Sequence, residues 1–161
     1  MRGPVPEIPP FLQPVAHSLL QSLEEVRVVV GPLSKEDLWA RPGGAASVGF
    51  HVRHAAGSLD RLFTYARGEG LSAEQRAFLE MESAPGSPPE EAAELAYAFE
   101  QQLGRALEQL RNTPESTLLE ARGVGRLRLP STVLGLLFHA AEHTQRHVGQ
   151  IVTTARIATN R

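Results

Sequence analysis

No cysteine occurs among the 161 residues. That absence excludes a disulfide framework, a thiolate nucleophile supplied by the chain, and any zinc site built on Cys. Neither sign of charge is in excess: 16 Lys+Arg stand against 18 Asp+Glu, a formal net charge of −2. A nucleic-acid or membrane-surface binder needs surplus cations to neutralise phosphates, so neither partner is expected. Nowhere do about 18 apolar residues run uninterrupted, which argues against a membrane span. The opening MRGPVPEIPPF also lacks the apolar stretch of a secretory signal peptide. No repeat at a period of about 20–50 residues is present, and no P-loop, dinucleotide fingerprint or Ser-His-Asp arrangement is readable. These absences together predict a cytoplasmic globule.

What is present is ordinary for such a protein, with 42% hydrophobic and 21% charged residues. At this length a chain buries about 68–70% of the surface it exposes when unfolded, enough for one core without staples. Residues 1–161 are therefore read as a single domain. Pro4, Pro6, Pro9 and Pro10 mark residues 1–10 as an extended arm. From Pro14 to Val30, the spacing of Val15, Leu19, Leu20, Leu23, Val26 and Val30 predicts a first helix, stopped by Gly31-Pro32. Ser34 and Asp37 form a capping pair for one short turn that carries Trp39, read as a plug over one end of the core. A second helix is predicted over 47–67, with Val48, Val52, Ala55, Leu59, Leu62 and Ala66 as its apolar stripe. A short linking helix follows over 72–81, and a third long helix, acidic at its start, runs from Pro89 to Arg111. The stretch 120–130 reads as a loop or brief hairpin. A fourth helix, capped by Ser131, extends from Thr132 to about Ala158. Four long amphipathic helices without a convincing strand pattern predict an all-α four-helix bundle with long inter-helix links, its handedness left open.

The placement of the six histidines carries more than their number. His51 and His54 lie on the second helix, and His139, His143 and His147 follow at four-residue steps on the fourth. Side chains four apart share a helix face, so two such imidazoles can point at one ion. A third ligand from a facing helix would leave a coordination position for water or substrate, the open geometry of catalytic sites. On the fourth helix, the stripe Val133, Leu137, Ala140, Val148, Ile151 and Ala155 defines the inward direction. His147 falls at its edge, His143 further round, and His139 nearly opposite, so His143 and His147 are the better pair. On the second helix, periodicity mildly prefers His51 over His54, which shares a face with Ser58, Arg61 and Tyr65. His17, alone on the first helix, is read as structural.

The segment SVGFHVRHAAGSLDRL (47–62) resembles the second helix of the DinB-like and YfiT-like proteins. EHTQRHVGQI (142–151) resembles the HxxxH-x-GQ signature of their fourth helix, and the likeness extends over nearly the whole chain. The family takes its name from damage-inducible expression. The resemblance implies a four-helix bundle, commonly a homodimer, that holds one divalent metal ion with three side chains. Carried over residue by residue, the ligands fall on His54, His143 and His147, with His54 replacing the His51 that periodicity favoured. His51 and His139 are then expected beside the site without ligating. An all-His set suits zinc or nickel, and also iron or copper.

Other residues invite weaker readings. Arg61 and Tyr65 could hold an anionic substrate or form a solvated pair. Gln150 is a candidate to orient an imidazole, whereas Gln145 reads as helix-surface polarity. Arg122, Arg126 and Arg128 make a small basic loop, solvated by default.

For function, the resembling superfamily includes transferases that use low-molecular-weight thiols such as bacillithiol or mycothiol. It implies transfer of an external thiol onto a small electrophile, since this chain has no thiol of its own. A metal-dependent hydrolase uses the same parts. A non-catalytic, stress-related metal- or ligand-binding bundle is the reading from a different class. No residue is assigned a catalytic role beyond the three ligands.

Overall fold

A computed structural model describes residues 3–87 and 89–160. Six helices and one hairpin follow each other along the chain: α1 (Gln13–Val30), α2 (Lys35–Trp39), α3 (Val48–Ala66), α4 (Ala73–Met81), α5 (Ala92–Arg111), β1 (Ala121–Val124), β2 (Leu129–Thr132) and α6 (Val133–Thr159). The architecture is all-α, and the four predicted long helices are α1, α3, α5 and α6. Among the described residues, no helix is long and apolar enough to cross a membrane.

Local chemistry sets the boundaries. Ser34, Ser47 and Ser72 each accept a hydrogen bond from the backbone N–H three residues on, capping α2, α3 and α4. The third long helix starts three residues later than predicted, at Ala92. Glu91 and Glu94 form a reciprocal cap there, with Glu91 N–H donating to Glu94 Oε2 at 2.8 Å. The fourth helix is capped by Thr132 rather than Ser131, its hydroxyl accepting from Gly135 N–H at 3.0 Å. The reason is the hairpin: Ser131 and Thr132 are still paired with Arg122 and Ala121 of β1, so helical geometry begins at Val133. The stretch left between loop and hairpin is therefore a hairpin.

The four long helices enclose one apolar cluster. α6 lies between α1 and α3, and α5 packs against those same two helices on the other side. Consecutive long helices α1 and α3 are thus diagonal, as are α5 and α6, which is why their connections are long. The apolar stripes behave as their spacing requires. Val48, Val52, Ala55, Leu59 and Ala66 of α3 are buried, as are Val133, Leu137, Ala140, Val148, Ile151 and Ala155 of α6. The largest side chains sealed at the centre are Phe63 and Phe99. The broad α3–α6 interface sets the histidines of both helices opposite one another.

Of the proline-rich start, residues 1 and 2 lie outside the described residues. The remainder is fastened to the bundle. Gln13 Nε2 donates to the carbonyls of Val5 and Ile8 at 2.9 and 2.7 Å, and Ile8 is buried. His17 Nε2 lies 3.2 Å from the Gly3 carbonyl, a structural contact as expected.

Trp39 closes one end of the core. Its indole N–H donates to the Glu90 carbonyl at 3.0 Å, and its ring packs closely against Gly49. A Cβ at position 49 would stand 2.8 Å from ring carbons. Gly49→Ala is therefore expected to destabilise the fold by roughly 1–2 kcal/mol net, because overpacking outweighs the better helix propensity of alanine. Thermal unfolding and the emission of this sole tryptophan check it. An unchanged midpoint with unchanged emission would show that the ring yields freely.

Candidate metal centre

Ser47 fixes the start of α3, so Phe50, His51 and His54 fall within its first two turns, facing the middle of α6. On α6, His143 and His147 stand one turn apart. Across this interface one ring nitrogen each from His54, His143 and His147 gathers within 4.8 Å of the others. His54 Nε2 and His143 Nε2 are 3.1 Å apart. The His147 ring centroid lies 4.5 Å from that of His54 and 4.6 Å from that of His143.

The remaining histidines take different places. His51 is buried beneath the trio, with its Nδ1 3.1 Å from Nδ1 of His147. His139 turns outward, half exposed, with its Nδ1 2.7 Å from Glu142 Oε1. Thus the stripe of α3 identified the more buried histidine, and the family signature identified the one that meets His143. The half-buried His54, at the rim of the α3–α6 seam, is the α3 histidine that gathers with His143 and His147.

Two neighbours had no counterpart in the sequence reading. Phe50 stacks on the His54 ring, with centroids 5.5 Å apart and planes 20° from parallel. Glu82, in the link after α4, places Oε1 2.7 Å from His54 Nδ1 and Oε2 3.1 Å from Arg61 Nη1. Arg61 is therefore neither a free anion-binding group nor a solvated charge; it is buried against Glu82. Tyr65 lines a shallow cleft with Gly70 and Gly125 beside the hairpin, away from the histidines. Gln150 is exposed, and the ring partners it was considered for are Glu82 and His51 instead. Gln145 ties α6 to α1 by donating to the Ser18 carbonyl at 2.9 Å. Arg122 pins the hairpin to the end of α3 through the Ala66 carbonyl at 2.8 Å, while Arg126 and Arg128 are exposed on the hairpin turn.

Burial favours the neutral form of His51, His143 and His147. Burial first, then the neighbouring His54, His143 and His51, pushes His147 down to about 3. Burial also lowers His143 and His51, with His54 adding to the effect in both. Burial pushes the Glu82 carboxyl up, but the His54 hydrogen bond and the Arg61 charge outweigh it and leave the group below the ordinary carboxylate range. An ionised carboxylate only accepts, so the proton in the Glu82–His54 contact sits on His54 Nδ1. In the neutral ring this leaves the lone pair on Nε2, the nitrogen that faces His143.

This donor set fits a divalent ion. Two nitrogens each about 2.0–2.1 Å from one metal, at an angle between octahedral and tetrahedral, lie roughly 2.8–3.4 Å apart, and the His54–His143 separation of 3.1 Å falls in that range. Three imidazoles would leave further coordination positions on such an ion open, and His54 and His143 are the half-buried members of the trio, nearer to solvent than His147.

The family model described as "DinB superfamily" matches residues 18–151. A solved structure, described as the conserved protein of locus from Enterococcus faecalis, aligns with a TM-score of 0.72. The alignment covers 93% of this chain and 98% of that one, at 17% identity, so the likeness is one of fold. No curated protein matches the chain.

Proposed function

Because the chain belongs to the DinB superfamily, with all three converging histidines inside the matched region, we propose that His54, His143 and His147 bind one divalent metal ion in a metal-dependent enzyme. The observation that carries the reading is the meeting of three imidazoles from two helices, with no fourth ligand grouped with them among the described residues. Zinc and nickel suit the donor set best, and iron or copper accept it too. When bound, the ion would acidify a coordinated water or thiol, because neutral ligands leave its charge uncompensated.

The reaction proposed is transfer of an external low-molecular-weight thiol, of the bacillithiol or mycothiol type, onto a small electrophile. The absence of cysteine supports an external thiol, and the family resemblance supports the reaction class. The chain's own residues would serve by position. His54 is steered by Glu82, His147 rests on His51, and Phe50 shields one face of the His54 ring. A cytoplasmic, stress-related role and a homodimer belong to the same reading. On α6, Leu136, Leu137 and Val148 are spent on the core, leaving Phe138 and Ile157 as the large apolar side chains exposed there for a partner.

Metal-loaded protein incubated with bacillithiol, mycothiol or glutathione and a chlorinated or epoxide acceptor is expected to form the thioether with at least one thiol. The His147→Ala variant supplies the background rate. Turnover no faster than that background with all three thiols would remove the transferase assignment and favour a hydrolase or a non-catalytic binding bundle.

A further inference from the structure

Two arginines on one helix are buried, Arg53 and Arg61 of α3, at 8% and 9% exposure. Both reach the same short link after α4. Arg53 Nη1 donates to the Ala84 carbonyl, and Arg61 Nη1 pairs with Glu82 Oε2 at 3.1 Å. Glu82 is itself only 5% exposed. A buried ion pair of this kind contributes little net stability, because desolvation offsets its attraction. Its geometry nevertheless does something specific. With Oε2 turned to Arg61, Oε1 faces His54 Nδ1 at 2.7 Å, on the opposite edge of the ring from the Nε2 that meets His143.

We infer that Glu82, fixed by Arg61, is a positioning residue that holds His54 in the Nδ1–H form and aims its Nε2 at the metal position. The inference rests on the metal reading above and adds to it a residue outside both helices of the site. A carboxylate behind a ligating imidazole sets the ring's tautomer and orientation and raises its basicity, and losing such a partner costs metal affinity about 10- to 100-fold. It also gives the link after α4 a purpose: the two arginines of α3 bring the carboxylate to a histidine on their own helix.

The test uses the full-length protein and two readouts. Zinc affinity is measured by competition with a chromophoric chelator, and long-range proton–nitrogen correlation in zinc-free protein shows which ring nitrogen of His54 carries the proton. Glu82→Gln keeps an acceptor but loses the charge. The double variant Arg61→Met/Glu82→Leu removes acceptor and buried charge together, which avoids stranding Arg61 and protects the fold. Wild type is expected to carry the proton on Nδ1. The double variant loses that assignment and about 10- to 100-fold in zinc affinity, with Glu82→Gln falling between. A folded double variant with wild-type affinity, or a wild-type His54 protonated on Nε2, overturns the inference while leaving the metal site standing. A wild-type protein that takes up no zinc overturns the metal reading and this inference with it.

Discussion

Replacing His147 with alanine is expected to take bound metal from one ion per chain to none that survives desalting, read by elemental analysis of protein loaded with zinc or nickel. Alanine at position 54 or 143 should do the same, because two imidazoles alone are left to hold the ion. His147 is the most decisive of the three. It is buried between His51 and the other two ligands, so its loss opens the floor of the site as well as removing a donor. Alanine at His139 should leave the ion in place, since that ring faces Glu142 and solvent. Alanine at His51 should leave it bound too, because His51 touches a ligand without joining the trio. Metal retained by the His54 variant and lost from the His51 variant would reverse the assignment on α3.

Stripped of metal by a chelator, the protein is expected to lose stability steeply as pH falls from about 6.5, the ordinary histidine value. His147 is held down to about 3 in the fold. Between these two values the unfolded chain binds a proton that the native state refuses, so acid favours unfolding throughout that window. One such group changes stability by roughly 1 kcal/mol per pH unit there. His143 and His51, lowered for the same reason, act in the same direction. Glu82 adds to the loss once pH drops below the usual carboxylate range, since its native form is the ionised one. Denaturant midpoints collected between pH 7 and pH 4 check this. A flat profile across that range would mean that the histidines are not buried as neutral groups. Ligation also requires neutral imidazoles, so the extra stability conferred by metal should vanish over the same acid range.

Much of the bundle is legible in the sequence because each helix writes its inward face as an aliphatic stripe. The burial of Val48, Val52, Ala55 and Leu59, and of Val148 and Ile151, follows that writing directly. His143 and His147 are legible for the same reason: four-residue spacing is a property of one helix and needs no knowledge of the partner. His54 is different. Hydrophobic periodicity points to the residue nearest the core, His51, whereas the ring that gathers with His143 and His147 stands at the rim of the interface. Only the family signature identified His54. Glu82 lay beyond both kinds of signal, since it sits 28 residues from His54 in an irregular link and reaches it through tertiary packing alone. The diagonal order of the helices was equally hidden, because stripes report which face is buried and not against which helix. The start of α6 was misjudged by one residue because strand pairing of Ser131 and Thr132 competes with helix initiation.

The most direct measurement is a crystal structure of the metal-loaded protein with anomalous data collected at the absorption edge of the added ion. The account predicts one anomalous peak per chain, about 2.0–2.1 Å from Nε2 of His54, from Nε2 of His143 and from one ring nitrogen of His147, with Glu82 still on Nδ1 of His54. A peak centred on His139 and Glu142, or no peak in protein that elemental analysis shows to be fully loaded, would contradict it.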